Sequence, residues 1–426
     1  MRESFAPLRV AAFRRLLGSY LANQIGDSIG LIALAVLVFD KSGSAIATAS
    51  LFVAAKFLPA FLAPLLIARV DLLPANRVLP AAYLVESGVF LALAGLSERY
   101  ALAAVLVLAL ADGTLALSAR GLSRAAVGAC LEPTGQLRAG NALVNVAFGL
   151  ATMLGTGLGG LVVAASGTGA AFLLDAASFA VAAGFVAGLP SVRADPVQES
   201  FRARLRAGLR YVRESPTARL LVGGQALAFV FFTLVIPIEV IYAKSTLGTG
   251  DAGFGILLAS WNAGLLGGGL LNVRLSGLSP PLVVLASTTL VGLAYGGMAL
   301  ADTLWLACAI SVAGGIGNGF QWVSVITMLQ EATPADLHAR VMGLLESVGA
   351  LMPAIGYALG GTLVAIWSPR VAFAVAGLGI LVIVAAGALL VSAQRRRGVR
   401  NHSPEPGLRH PDSEPGVRKM PASKAD

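Results

Sequence analysis

Long apolar runs dominate the chain, each about the length of a bilayer-spanning helix and separated by short polar punctuation. A span needs roughly 20 mostly apolar residues. That length predicts helices over 16–38, 45–68, 78–97, 101–119, 142–165, 170–189, 220–242, 253–273, 281–300, 304–329, 341–366 and 371–392. The connections are turn formers, such as Asp40-Lys41-Ser42-Gly43, Ser166-Gly167-Thr168-Gly169 and Ser279-Pro280-Pro281. An all-α membrane protein of twelve transmembrane helices is therefore expected.

The pattern also repeats at an offset of 201 residues. Gly155 matches Gly356, Leu158-Gly159-Gly160 matches Leu359-Gly360-Gly361, and Ala171-Phe172 matches Ala372-Phe373. Parallel six-helix repeats are one build of transporter. The expected organisation is a first half over 1–189, a basic central loop over 190–219, a second half over 220–392 and a disordered tail over 393–426. In the loop, Phe201, Leu205, Leu209 and Val212 fall at helical spacing between arginines. This suits an amphipathic helix on an anionic leaflet, with a solvated linker as the alternative.

Composition agrees: 57% of the 426 residues are hydrophobic and 12% charged, against roughly 25% charged in a soluble domain. With the N-terminus inside, the inner segments hold 26 Lys or Arg and the outer loops four, namely Lys41, Arg99, Lys244 and Arg370. That bias places both termini in the cytoplasm. The net charge of +9 then reports topology and not nucleic-acid binding. The first apolar run lacks a cleavage site and reads as a permanent helix. No P-loop, nucleophile–base pair, metal spacing or cofactor motif is present, so an enzyme is not expected. The two cysteines are isolated. Arg outnumbers Lys 26 to 5, which suggests a GC-rich bacterium and its plasma (inner) membrane.

Charges within spans are expensive and therefore informative. Asp27, Lys56, Glu86 and Asp112 lie eleven or twelve residues from the outer ends of helices 1–4. At roughly 1.5 Å per residue they form one layer near mid-membrane. Lys56 can neutralise one acid, most plausibly Asp27, leaving others able to take up and release protons; the alternative is an ion-pair network that only locks the helices. Cavity-lining candidates are Asn23, Gln24, Asn145, Trp261, Asn262, Asn318, Gln321, Trp322 and Glu346. Asp175 and Glu239 fall near outer helix ends, where water reaches them, and are read as bland. The Gly155–Gly160 stretch reads as helix packing.

Several segments together resemble the major facilitator superfamily, and within it the bacterial drug and macrolide exporters of the proton-antiporter type. They are Asn23-Gln24-Ile25-Gly26-Asp27, Lys56 before Pro59, Arg138 to Leu143, Phe172 to Phe179, Leu209 to Arg213 and Arg340 to Leu344. The resemblance covers about residues 10–392. It implies a cytoplasmic gate at Asp71 and Arg77, although Ile67 and Leu72 depart from the usual latch, as Thr156 does from the usual helix 5 proline. The expected function is proton-coupled efflux of a small amphipathic molecule, such as a drug, antibiotic or siderophore, by a monomer. An uptake permease is the alternative within transport; a non-transporting scaffold or sensor is the alternative outside it.

Overall fold

The computed structural model describes the chain except for residues 1–2, 71–74, 190–200, 275–278, 335–336 and 402–426. Among the described residues, eleven continuous helices are long and apolar enough to cross a membrane. One of them, Leu137–Val186, is broken at Gly167, whose φ of 80° and ψ of 172° only glycine adopts readily. The break falls in the Ser166–Gly169 turn and divides the segment into two spans, giving twelve.

The spans are α1 (Ala11–Ser42), α2 (Ala45–Leu66), α3 (Asn76–Leu96), α4 (Leu102–Leu131), α5 (137–166), α6 (168–186), α7 (Pro216–Thr246), α8 (Asp251–Arg274), α9 (Pro280–Leu300), α10 (Leu304–Ala332), α11 (His338–Ile366) and α12 (Pro369–Asn401). Residues through Ala385 form one compact unit, and those from Ala386 a second, whose helix is described to Asn401.

Two boundaries differ from the sequence reading. Arg120 and Arg124 look like loop residues, yet α4 runs eleven residues past Ala119's successor, to Leu131, and so carries Arg120 within the helix. The tail was expected to lose order from Gln394, but α12 continues to Asn401. Gln and Arg are good helix formers, and no proline intervenes before Pro404.

Between the halves, Phe201–Glu214 is a helix. Its Val212 is buried against Val222 of α7, Leu329 of α10 and Val341, Leu344 and Leu345 of α11. The Tyr211 hydroxyl donates to the Ala332 carbonyl. This linker helix thus packs on protein through Val212, while Leu209 is exposed; the side chains of Phe201 and Leu205 lie outside the described residues. The membrane side it occupies is called the linker side below, and the opposite one the far side.

The repeated glycines explain how the halves meet. Gly155 lies against Ile25 and Ser28, and Gly159 against Ile29 and Ile32, all on α1. A Cβ on Gly160, by contrast, would lie 2.7 Å from the Gly255 Cα of α8. In the second half, Gly356 lies against Val230 and Thr233, and Gly360 against Leu234, all on α7. A Cβ on Gly361 would lie 2.6 Å from the Ala49 Cβ of α2. In each half the first two glycines bring the helix onto its own half, and the third brings it onto the other. Lipid supplies no hydrophobic drive for helix association, so close backbone approach of this kind is what holds spans together. Phe52 and Tyr357 add an α2–α11 ring contact at 5.8 Å.

An ion-pair triad completes the far side. Lys244 at the end of α7 pairs at 2.6 Å with Asp40 at the end of α1, and at 2.6 Å with Asp251 at the start of α8.

Candidate functional site

The first half concentrates its charge around α1. Lys56 sits in a five-residue π-helical turn, Val53–Phe57, three residues before Pro59, where the regular helix resumes. Such one-turn bulges rotate a side chain out of the regular helical register. Opposite the bulge, Gly113 of α4 has no side chain, so its backbone lies against the Ala55 carbonyl and the Pro59 ring. Asp112, next in sequence, is thereby brought to Lys56, whose charge acts on both Asp112 and Asp27. Among the described residues, Lys56 makes ion-pair contact with neither.

Asp27 and Asp112 are partly exposed, and Lys56 is exposed. The Asn23 amide donates to Asp27 Oδ2 at 3.3 Å. Glu86 of α3 differs: it is 0% exposed, and among the described residues neither carboxyl oxygen has a hydrogen-bond partner. The charges facing it are Asp112, Asp27, Asp175 and Arg120. The four residues reached by helix counting thus differ in environment: Asp27 and Asp112 are partly exposed, with Asp112 Oδ1 buried, Lys56 is exposed, and Glu86 is sealed.

Two members of the cluster were missed. Arg120 was counted with the loops, but on the extended α4 it faces Asp27 and Glu86. Asp175 was placed near a wet helix end, but it is 0% exposed within α6. Its Oδ1 accepts from the Ser178 hydroxyl at 3.1 Å and its Oδ2 has no partner. The available signal was Gly26 and Gly30, one turn apart on α1 and flanking Asp27: a Cβ at either would collide with the Asp175 carboxyl.

The remaining candidates scatter. Gln24 is buried; Asn145 and Glu346 are exposed; Asn318 is half-buried. Asn262 donates to its own helix at Leu258, 2.9 Å away. Trp261 stacks on Tyr295 at 5.3 Å and 15°, and Trp322 lies obliquely on Phe229 at 6.0 Å. Gln321 is 4% exposed and donates to Gln225 at 2.7 Å, so its amide is committed to a neighbouring helix. Of the gate pair, Arg77 is exposed at the linker-side start of α3, whereas Asp71 lies outside the described residues. A lateral groove of about 400 Å³ between α2, α4 and α11 is lined by Ile46, Val53, Leu110 and Gly361 among others and carries no charge.

The chain as a whole has known relatives. The family described as transmembrane secretion effector matches residues 2–348. An enterobactin exporter of Salmonella typhi is 30% identical over 306 residues, covering 70% of this chain and 71% of that one. The enterobactin exporter of an Escherichia coli O127:H6 strain is 29% identical over 317 residues, covering 72% and 73%. Among solved structures, a mutant of the nucleoside transporter NupG superposes with a TM-score of 0.73 at 15% identity, covering 89% of this chain and 99% of that one. A bacterial homologue of the human lysosomal transporter Spinster, inward-facing and unoccupied, gives 0.63 at 11% identity, covering 89% and 95%. Those structures share the fold. The chain is a multi-pass membrane transporter for small molecules, and it belongs to the transmembrane secretion effector family of the major facilitator superfamily.

Proposed function

We propose that this protein exports a small amphipathic molecule of the siderophore type across the bacterial inner membrane, in exchange for protons, as a monomer with both termini in the cytoplasm. The observation that carries the coupling is the close packing of Gly113 of α4 on Ala55 and Pro59 of α2, which sets the partly exposed Asp112 beside the turn that carries Lys56, whose charge also acts on the partly exposed Asp27 of α1. Protonation of either acid removes one of the two attractions on Lys56 and leaves it to the other. A charge change at one point then becomes a movement between α1, α2 and α4. The cargo class is supported by the enterobactin exporters named above, which the chain matches over about 70% of its length.

On this reading the linker side is cytoplasmic, and the described contacts between halves close the periplasmic side. Opening there requires Asp40 to leave Lys244. Because Lys244 is also paired with Asp251 of its own half, that separation strands no uncompensated ammonium. Arg77, with Asp71, would close the linker side in the opposite conformer. A ligand shifts such an equilibrium only by its differential affinity for the two states, and a proton on Asp27 or Asp112 is such a ligand.

The test is efflux of enterobactin, as the probe siderophore, from everted vesicles or proteoliposomes under an imposed pH gradient. Asp27→Asn is expected to lower gradient-driven efflux at least roughly tenfold, the effect of about 1.4 kcal/mol on the coupled equilibrium. Unchanged, gradient-dependent transport by that variant would remove Asp27 from the coupling site.

A further inference from the structure

Asp175 is hard to explain as part of the scaffold. Its carboxyl is sealed from solvent, receives one hydroxyl donor, Ser178 at 3.1 Å, and leaves Oδ2 without a partner. Burying a charged carboxylate with so little compensation is costly, and natural proteins place such groups where they work. The fold does not require a carboxyl here. The position 201 residues later is Ala376, also 0% exposed, in the corresponding span of the second half. In the second half the corresponding space is filled without a carboxyl, by Phe231 of α7 packed on Gly379 of α12.

The neighbourhood is also built around the carboxyl. Gly26 and Gly30 clear one face of α1, so the Asp175 oxygens lie directly against the backbone that carries Asp27. Ser87 of α3, next to Glu86, donates to the Ala176 carbonyl at 2.8 Å and fixes α3 to α6 at the same level. The charged groups that face Asp175 are Asp27 of α1 and Asp112 of α4; Glu86 of α3 in turn faces Asp175, and Arg120 of α4 faces Glu86. Glu86 supplies a second sealed carboxyl with no partner at either oxygen.

We propose that Asp175 is a further proton-binding residue of the coupling site, which with Glu86 forms an inner carboxyl pair that exchanges protons with the partly exposed Asp27. The step is a transfer of one proton from the Asp27 carboxyl to an inner carboxylate, so the net charge of the cluster is unchanged while the negative charge moves from a sealed carboxyl to the partly exposed Asp27. Asp27, now ionised, attracts Lys56, and the inner pair holds the proton until α1 and α6 shift. The inference rests on the proton-coupled reading given above.

The decisive experiment compares the pH dependence of efflux in proteoliposomes for the unaltered protein, Asp27→Asn and Asp175→Asn. Asparagine keeps the shape of the side chain and an acceptor for Ser178. Asp175→Asn is expected to move the midpoint of the profile by roughly one pH unit, the size of one like-charge interaction between neighbouring carboxyls, while cargo binding persists. A profile that coincides with that of the unaltered protein overturns the role of Asp175 alone. An unaltered protein whose transport ignores pH overturns the coupling reading and this inference with it. Should Asp175→Asn fail to fold, the unaltered protein in membranes can be labelled with dicyclohexylcarbodiimide, an apolar reagent for protonated carboxyls, and mapped by mass spectrometry. Label on Asp175 that declines as pH rises supports the proposal, and label that is absent or indifferent to pH overturns it.

Discussion

The two halves solve the same packing problem with opposite chemistry. Matching contacts on the paired helices put Ile25 and Ser28 of α1 where α7 has Val230 and Thr233, so Gly26 corresponds to Phe231. In the first half the glycine is on α1, and α6 fills the space with Asp175 and Ser178. In the second half the bulk is on α7: Phe231 fills the space, and α12 answers with Gly379. The same exchange recurs nearby. Gly113 lies against the Ala55 carbonyl and Gly315 against the Trp261 carbonyl, which sets Lys56 opposite Asn262 in the pairing. One half fills its interior mainly with ionisable groups, and the other mainly with Trp261, Tyr295, Phe373 and an amide pair, with Glu239 of α7 near Tyr295. A fold that accepts either content at the same positions does not need the charges for folding, which supports the coupling role proposed for them.

The difference can be tested where the halves should respond alike. Gly160→Ala and Gly361→Ala each force a methyl into the contact between halves, 2.7 Å from Gly255 and 2.6 Å from Ala49. Overpacking of this kind costs about 1–3 kcal/mol. Both variants are therefore expected to shift the population toward the far-side-open state by roughly 5- to 150-fold, read as faster alkylation of a single cysteine placed on the far side. Strongly unequal effects would mean that the repeated glycines are not equivalent.

It can also be tested where the halves should differ. Gln321→Leu leaves the Gln225 amide of α7 buried without its donor, a loss of about 1–3 kcal/mol visible in thermal unfolding in detergent. The pH profile of transport should stay where it is, and the double variant Gln225→Leu with Gln321→Leu should recover most of the stability. A displaced pH profile would show that the second half also takes part in coupling. The smallest effect is expected from Lys244→Ala. Its pairs are part-exposed, so their loss is worth up to about 1 kcal/mol and changes the far-side equilibrium by at most roughly fivefold. Salt should mimic the substitution. A larger change would make the triad the principal lock in place of the glycine contacts.

Most of the architecture was legible because a bilayer acts on one helix at a time. Each span must satisfy its own backbone and present enough apolar length, and both conditions are written locally in the chain. Counting from helix ends singles out Asp27, Lys56, Glu86 and Asp112 for the same reason. Where local rules point the wrong way, the reading failed: Arg120 and Arg124 looked like the end of α4, and the arginines after Gln394 looked like the end of α12, yet both helices continue.

What the sequence alone determined is the set of spans, their repeat and the depth of the charges in them. What tertiary structure decided is which side of each helix meets which neighbour. Depth along a helix does not specify rotation about it, so sequence could not tell that Asp175 turns inward against Gly26 and Gly30, that Gln321 is committed to Gln225, or that Lys244 reaches Asp40 some two hundred residues away. Rotation is set by the close glycine contacts between helices, and those exist only once both partners are in place.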